Sequence, residues 1–123
     1  MHILLVDDET EFLDLMTKRL DRRNFQVSTA ANGADALKLL AGTPVDVVVL
    51  DVRMPGMDGI ETLKHIKKLT PATEVILLTG HANMEVALEG MTQGAFDYLL
   101  KPVAINDLIF KIQDAAKKSG KTT

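Results

Sequence analysis

Five short apolar runs, each separated from the next by a helical pattern, constrain this chain more than anything else in it. The runs are Ile3 to Val6, Phe25 to Ala30, Val45 to Leu50, Glu74 to Thr79 and Phe96 to Leu100. Strand and helix signals that alternate in this way predict an α/β domain with a parallel sheet covered by helices on both faces, because right-handed crossovers return each strand beside an earlier one. Strands buried on both sides read as continuous Val, Ile and Leu. The first and third runs fit that description, whereas Phe25-Gln-Val-Ser-Thr-Ala30 alternates and reads as an edge strand. With 123 residues, 46% of them hydrophobic, the chain can close one core but has little length for a second domain.

The helical segments carry their own signals. Phe12, Leu15, Met16 and Leu20 form an apolar stripe in the first, and Asn32 caps the second, with Asp35 in its first turn and Gly42 at its close. Gly90 sits near the centre of residues 83–93 and costs a helix about 1 kcal/mol relative to alanine, which marks a mobile element. In the last helix Ile105, Leu108, Ile109, Ile112 and Ala116 recur on one face. Phe110 lies about 140° from the centre of that stripe at roughly 100° per residue, so it faces outward. Two readings of it stand side by side: a partner contact, or an aromatic covered by neighbouring side chains. Residues 1–118 are expected to form the domain, and residues 119–123 a flexible tail or linker stub.

Composition removes several function classes. A net charge of −3 gives no basic footprint for direct binding of nucleic acid or an anionic membrane. The absence of cysteine rules out thiolate metal sites and cysteine nucleophiles. The apolar start is too short for a signal peptide or a membrane span, so a cytoplasmic location is expected.

Chemistry concentrates where strands end. Asp7-Asp8 follows the first run, Asp51 the third, Thr79 closes the fourth, and Lys101 follows the fifth. The carboxyl ends of parallel strands share one edge of the sheet, where ligands of open α/β folds bind. Three carboxylates meeting there resist ionisation unless a cation joins them, and hard oxygen donors with few protein contacts favour Mg²⁺. A carboxylate nucleophile, acids for a divalent ion, a hydroxyl and an ammonium together suit a phosphoryl group, which a carboxylate can accept as an aspartyl phosphate. Blander roles exist for each residue alone: Asp8 as a helix cap, Lys101 as a solvated loop lysine, Thr79 as a strand-end residue and Tyr98 as a half-wet filler. His2 and His65 read as structural or solvated, Met84 and Met91 as packing residues, and Lys64, Lys67 and Lys68 as a solvated helix face.

Taken together, Asp7-Asp8, Asp51, Met54-Pro-Gly-Met-Asp-Gly59, Thr79-Gly80 and Lys101-Pro102 resemble the response-regulator receiver domain of two-component signalling, over essentially the whole chain. The resemblance implies a flavodoxin-like (βα)5 three-layer sandwich with strand order 2-1-3-4-5. It implies a phosphoacceptor signalling domain rather than an enzyme, in which Asp51 takes a phosphoryl group from a histidine kinase or phosphotransfer protein. Mg²⁺ would be bound by Asp8, Asp51 and the backbone carbonyl of Arg53, with Asp7 in support. Thr79 and Lys101 would contact the phosphoryl oxygens and Tyr98 would turn inward. Lys101-Pro102 would be a cis bond, and Arg53 and His81 would tune the lifetime of the phosphoryl group. For His81 the alternative is a solvated loop side chain.

The same resemblance implies a rearranged surface around the fourth helix and fifth strand, read by an effector domain or by a phosphorylation-dependent homodimer. The segments Leu78-Thr-Gly-His-Ala-Asn83 and Gly94-Ala-Phe-Asp-Tyr-Leu-Leu-Lys-Pro102 look like receivers of nitrogen-regulation-type transcriptional activators. Other classes fit less well. A receiver-like interaction module without phosphorylation has no use for the intact Asp51, Thr79 and Lys101. A Mg²⁺-dependent phosphohydrolase of the haloacid-dehalogenase type needs a second acid two residues after Asp51, where Arg53 stands. A flavodoxin-like cofactor carrier needs a phosphate loop where Asp7-Asp8-Glu9 would repel the ligand.

Overall fold

Each apolar run becomes a strand and each helical pattern a helix. The computed structural model describes residues 1–54 and 56–118, and residues 119–123, with the expected tail, lie outside them. In chain order the elements are β1 (His2–Val6), α1 (Thr10–Asp21), β2 (Gln26–Ala30), α2 (Gly33–Gly42), β3 (Val47–Asp51), α3 (Gly59–Leu69), β4 (Glu74–Thr79), a 3₁₀ turn (His81–Asn83), α4 (Met84–Thr92), β5 (Asp97–Leu100) and α5 (Ile105–Lys118). The five strands form one parallel sheet in the order β2-β1-β3-β4-β5. This is the expected topology, and it places the reversal of strand order between β1 and β3, where the crossovers leave in opposite directions and open a crevice.

Burial follows the sequence logic. β1, β3 and β4 are covered on both faces, while β2 and β5 are partly exposed edges. On one face Leu4, Val48, Leu50 and Leu77 pack with Ala36 and Leu40 of α2 and Ile60, Leu63 and Ile66 of α3. On the other, Ile3, Leu5, Val49 and Ile76 pack with Leu13, Met16 and Leu20 of α1 and Leu108, Ile112 and Ala115 of α5. These are the alternate side chains of the same strands, so one sheet serves two cores.

Several local expectations change. The buried stripe of α1 is Leu13, Met16 and Leu20, whereas Leu15 is 45% exposed. Spacing of three and four residues from Leu13 sets that face, and Leu15 falls off it. Strand β3 starts at Val47 rather than Val45, and β5 at Asp97 rather than Phe96. Lys67 is not simply solvated: its ammonium donates to the carbonyls of Pro71 (3.1 Å) and Thr73 (2.9 Å), closing the loop that follows α3. His2 is structural, its ring bonding the Pro44 carbonyl (3.0 Å) and the Ser28 hydroxyl (2.7 Å).

Caps and close approaches set helix positions. The Asn32 side chain accepts from the Asp35 N–H at 2.8 Å, and Asp58 does the same for Glu61 at 2.8 Å. Gly59 opens α3 so tightly against β3 that a Cβ there would strike the backbone of Asp51 and Val52. Gly90 is buried, and a Cβ on it would meet the side chains of Leu77 and Ile60. Its lost helix propensity therefore has a packing cause: it lets α4 lie close on β4 and α3.

Candidate functional site

The carboxyl ends of β1, β3, β4 and β5 finish almost level. Val6 stands opposite Leu50, Asp51 opposite Leu78, and Thr79 opposite Leu100. One step further along each strand therefore brings Asp7 beside Asp51, with Lys101 across the same edge. The crevice is lined by Asp8, Asp51, Arg53, Gly80, Asn83 and Lys101, among others.

Asp51 is the last residue of β3 and only 7% exposed. One of its oxygens accepts weakly from the Arg53 N–H at 3.3 Å. Asp7 is 1% exposed and fully engaged: one oxygen accepts from the Glu9 N–H (2.9 Å), the other from the Lys101 ammonium (2.7 Å). Asp8 is exposed. The N-terminal flank of α1 is Glu9, which makes no side-chain cap bond, so Asp7 rather than Asp8 satisfies a backbone donor there. Oxygens of Asp7, Asp8 and Asp51 all lie within 4.8 Å of one another.

These surroundings act on ionisation. Burial pushes the Asp51 carboxyl above the ordinary carboxylate range, and the charges of Asp7 and Asp8 add to the push, while Lys101 and the Arg53 N–H oppose it. Lys101 moves up as well. Burial disfavours its ammonium, but the hydrogen bonds to Asp7 and Glu9 and the charge of Asp51 together outweigh that cost.

Lys101 bridges the acids. Its Nζ lies 2.7 Å from Asp7, 3.1 Å from Glu9 and 3.7 Å from Asp51, and 4.7 Å from the centre of the Phe12 ring. The Lys101-Pro102 peptide is cis, as the resemblance implied. Thr79 is fully buried, and its hydroxyl donates to the adjacent Gly80 carbonyl at 3.1 Å, turned along its own strand. Tyr98 is half-buried against the α2–α3 core and pairs in register with Leu77, which puts it on the same sheet face as Thr79.

The remaining candidates divide. The exposed Arg53 borders the crevice. His81 opens the 3₁₀ turn two residues after Thr79, and its side chain lies outside the described residues. Phe110 is 65% exposed on α5 and takes no part in the crevice. Sequence reasoning put Phe12 in the apolar stripe of the first helix and gave Glu9 no site role, yet both touch Lys101. The signal was present but faint: an acid directly after Asp7-Asp8, and an aromatic three residues on, on the same side of the first turn of α1.

This order of strands, with acids, a hydroxyl and a lysine converging at the switch point, defines a receiver-type signalling module. The response regulator receiver domain family matches residues 3–113, and the chain belongs to it. Among curated relatives, the transcriptional regulatory protein GlrR of Escherichia coli K12 is 39% identical over 99% of this chain and 28% of its own length. Regulatory protein AtoC of the same organism is 41% identical over 92% of this chain and 24% of its own length. The chain thus spans about a quarter of the length of these relatives. A receiver domain from Clostridium thermocellum superposes with a TM-score of 0.92 at 36% identity, covering 97% of this chain and 96% of that one. NtrX from Brucella abortus superposes at 0.91 with 32% identity, over 97% of this chain and 27% of that one. Proteins of this family act as phosphoacceptor signalling modules rather than enzymes in their own right.

Proposed function

We propose that Asp51 accepts a phosphoryl group from the phosphohistidine of a sensor kinase or phosphotransfer protein, and that this modification switches the surface around α4 and β5. One observation carries the reading: a buried carboxylate at a strand end, within 4.8 Å of two other acids and 3.7 Å from an ammonium. An Asp51 oxygen attacks phosphorus, the P–N bond breaks, and the imidazole nitrogen leaves with the electron pair and takes a proton. Lys101 neutralises the phosphoryl oxygens as they arrive, and the Thr79 hydroxyl, released from Gly80, donates to one of them.

The donor set fits a hard divalent cation. Burial and like charge both work against ionised Asp51, and a cation shared by the acids relieves them. Asp8, Asp51 and the Arg53 carbonyl would hold Mg²⁺, with Asp7 in support. When bound, the ion supplies positive charge to the transferred group. Arg53 at the crevice mouth and His81 would regulate the approach of water and hence the lifetime of the modified state.

A phosphorylated Asp51 carries about −1.5 to −2 charges at the end of β3, in place of the single charge of its carboxylate. A state with Thr79 drawn toward those charges is favoured over the one in which it bonds Gly80. Tyr98, on the same face, fills the space that Thr79 vacates and carries the change to the α4–β5 surface. Phe110 on α5 offers a contact to a second copy or an effector domain. GlrR, named as a transcriptional regulatory protein, supports a transcriptional output.

Incubation with acetyl phosphate and Mg²⁺ should add one phosphoryl group, read by intact mass. Asp51→Asn should take up none, and excess chelator should suppress uptake by the unaltered chain. Stoichiometric labelling of Asp51→Asn, or full labelling without a divalent cation, would overturn the assignment.

A further inference from the structure

Lys101 reaches Asp51, but its shorter contacts lie elsewhere. Its ammonium makes its two short contacts with Asp7 and Glu9, at 2.7 and 3.1 Å, and stays 3.7 Å from Asp51. It also lies over the Phe12 ring. Asp7, Glu9 and Phe12 all belong to the stretch that leaves β1 and starts α1, so one short segment cradles the ammonium at the wall of the crevice. Asp7 is buried and also fixes the Glu9 N–H, so its position is set by the fold. Glu9 differs: its side chain is 66% exposed, and its carboxylate reaches across the crevice wall to the Lys101 ammonium.

We propose that Glu9 is a positioning residue that holds Lys101 back from Asp51 in the unmodified state and thereby slows phosphoryl uptake. This rests on Asp51 being the phosphoacceptor. The physical reason is differential: a contact made in the ground state and weakened as Lys101 moves to the incoming phosphoryl oxygens raises the barrier, and its removal lowers it. Glu9 also adds a negative charge that a phosphodonor must approach, a second effect that any nearby acid would share. Glu11, exposed in the same first turn, provides the comparison for that general effect.

The test measures the first-order rate of phosphorylation at saturating acetyl phosphate and Mg²⁺ for the unaltered chain, Glu9→Gln, Glu9→Ala and Glu11→Gln. An exposed ion pair of this kind corresponds to about a two- to fivefold change. Both Glu9 variants should react about two- to fivefold faster at saturation, with Glu11→Gln within error of the unaltered chain. Thermal unfolding should confirm that all four remain folded. Equal rates in the Glu9 variants and the unaltered chain, or an equal acceleration in Glu11→Gln, would overturn the positioning role while leaving the phosphoacceptor reading intact. Failure of the unaltered chain to label at Asp51 would instead remove the reading on which it rests.

Discussion

Asp51 shows how far a single side chain can be pulled between folding and function. Its carboxyl is pushed up by burial first and by Asp7 and Asp8 next, so the fold tolerates the neutral acid better than the ion. Below the ordinary carboxylate value of about 3.9 both folded and unfolded chains carry it protonated and it costs nothing. As pH rises through the raised folded-state value, the unfolded chain ionises more readily, and stability is lost. In metal-free buffer at pH 7, Asp51→Asn should therefore unfold at a higher temperature than the unaltered chain, with about 4 °C representing each kcal/mol recovered. The advantage should shrink to nothing toward about pH 4. A lower midpoint for the variant at pH 7 would mean that Lys101 and the Arg53 N–H already compensate the charge. The position of Asp51, like those of Asp7, Thr79 and Lys101, was legible in the sequence because each stands at the end of an apolar run. Glu9 was legible only faintly, as an acid next to Asp7-Asp8, because its contact is with a lysine 92 positions away.

At the scale of elements, the alternation of apolar runs and helical patterns was enough to find the five strands of the described sheet, and periodicity failed where two periodic faces compete. Phe12, Leu15, Met16 and Leu20 make a plausible stripe on paper, yet contact with the sheet selects Leu13 with Met16 and Leu20. Strand ends shifted by one or two residues for a similar reason: Val45 and Phe96 are apolar approaches to strands whose pairing starts later. Gly90 is the sharpest case. Read alone it weakens α4, but its missing side chain is what admits Leu77 and Ile60. Gly90→Ala gains about 1 kcal/mol of helix propensity and incurs an overpacking cost of about 1–3 kcal/mol. Denaturant unfolding should show a net loss of about 1 kcal/mol, the difference between those opposing effects. A net gain would show that α4 can back away from β4 without cost, and that close contact is not what the glycine serves.

The whole molecule matters because the crevice does not exist in any segment of it. Asp7 and Asp8 come from the end of β1, Asp51 from β3, Thr79 from β4 and Lys101 from β5. Only the 2-1-3-4-5 order, with its reversal beside β1, brings the first two sets into contact. A cation held by groups so distant in the chain binds the folded form far better than the unfolded one, so binding free energy becomes folding free energy. At a concentration one hundred times its Kd, a ligand specific to the folded state adds about 2.7 kcal/mol of stability. Raising Mg²⁺ through and beyond its Kd should therefore increase the unfolding temperature of the unaltered chain continuously with the logarithm of concentration. Asp8→Asn should flatten that response, since Asp8 is exposed and its loss removes a metal ligand without opening a cavity. Matching titrations with NaCl at equal ionic strength separate ion binding from general screening of the acids. A response to Mg²⁺ no larger than the NaCl response, or one retained in full by Asp8→Asn, would show that the three carboxylates meet at this edge without forming a metal site.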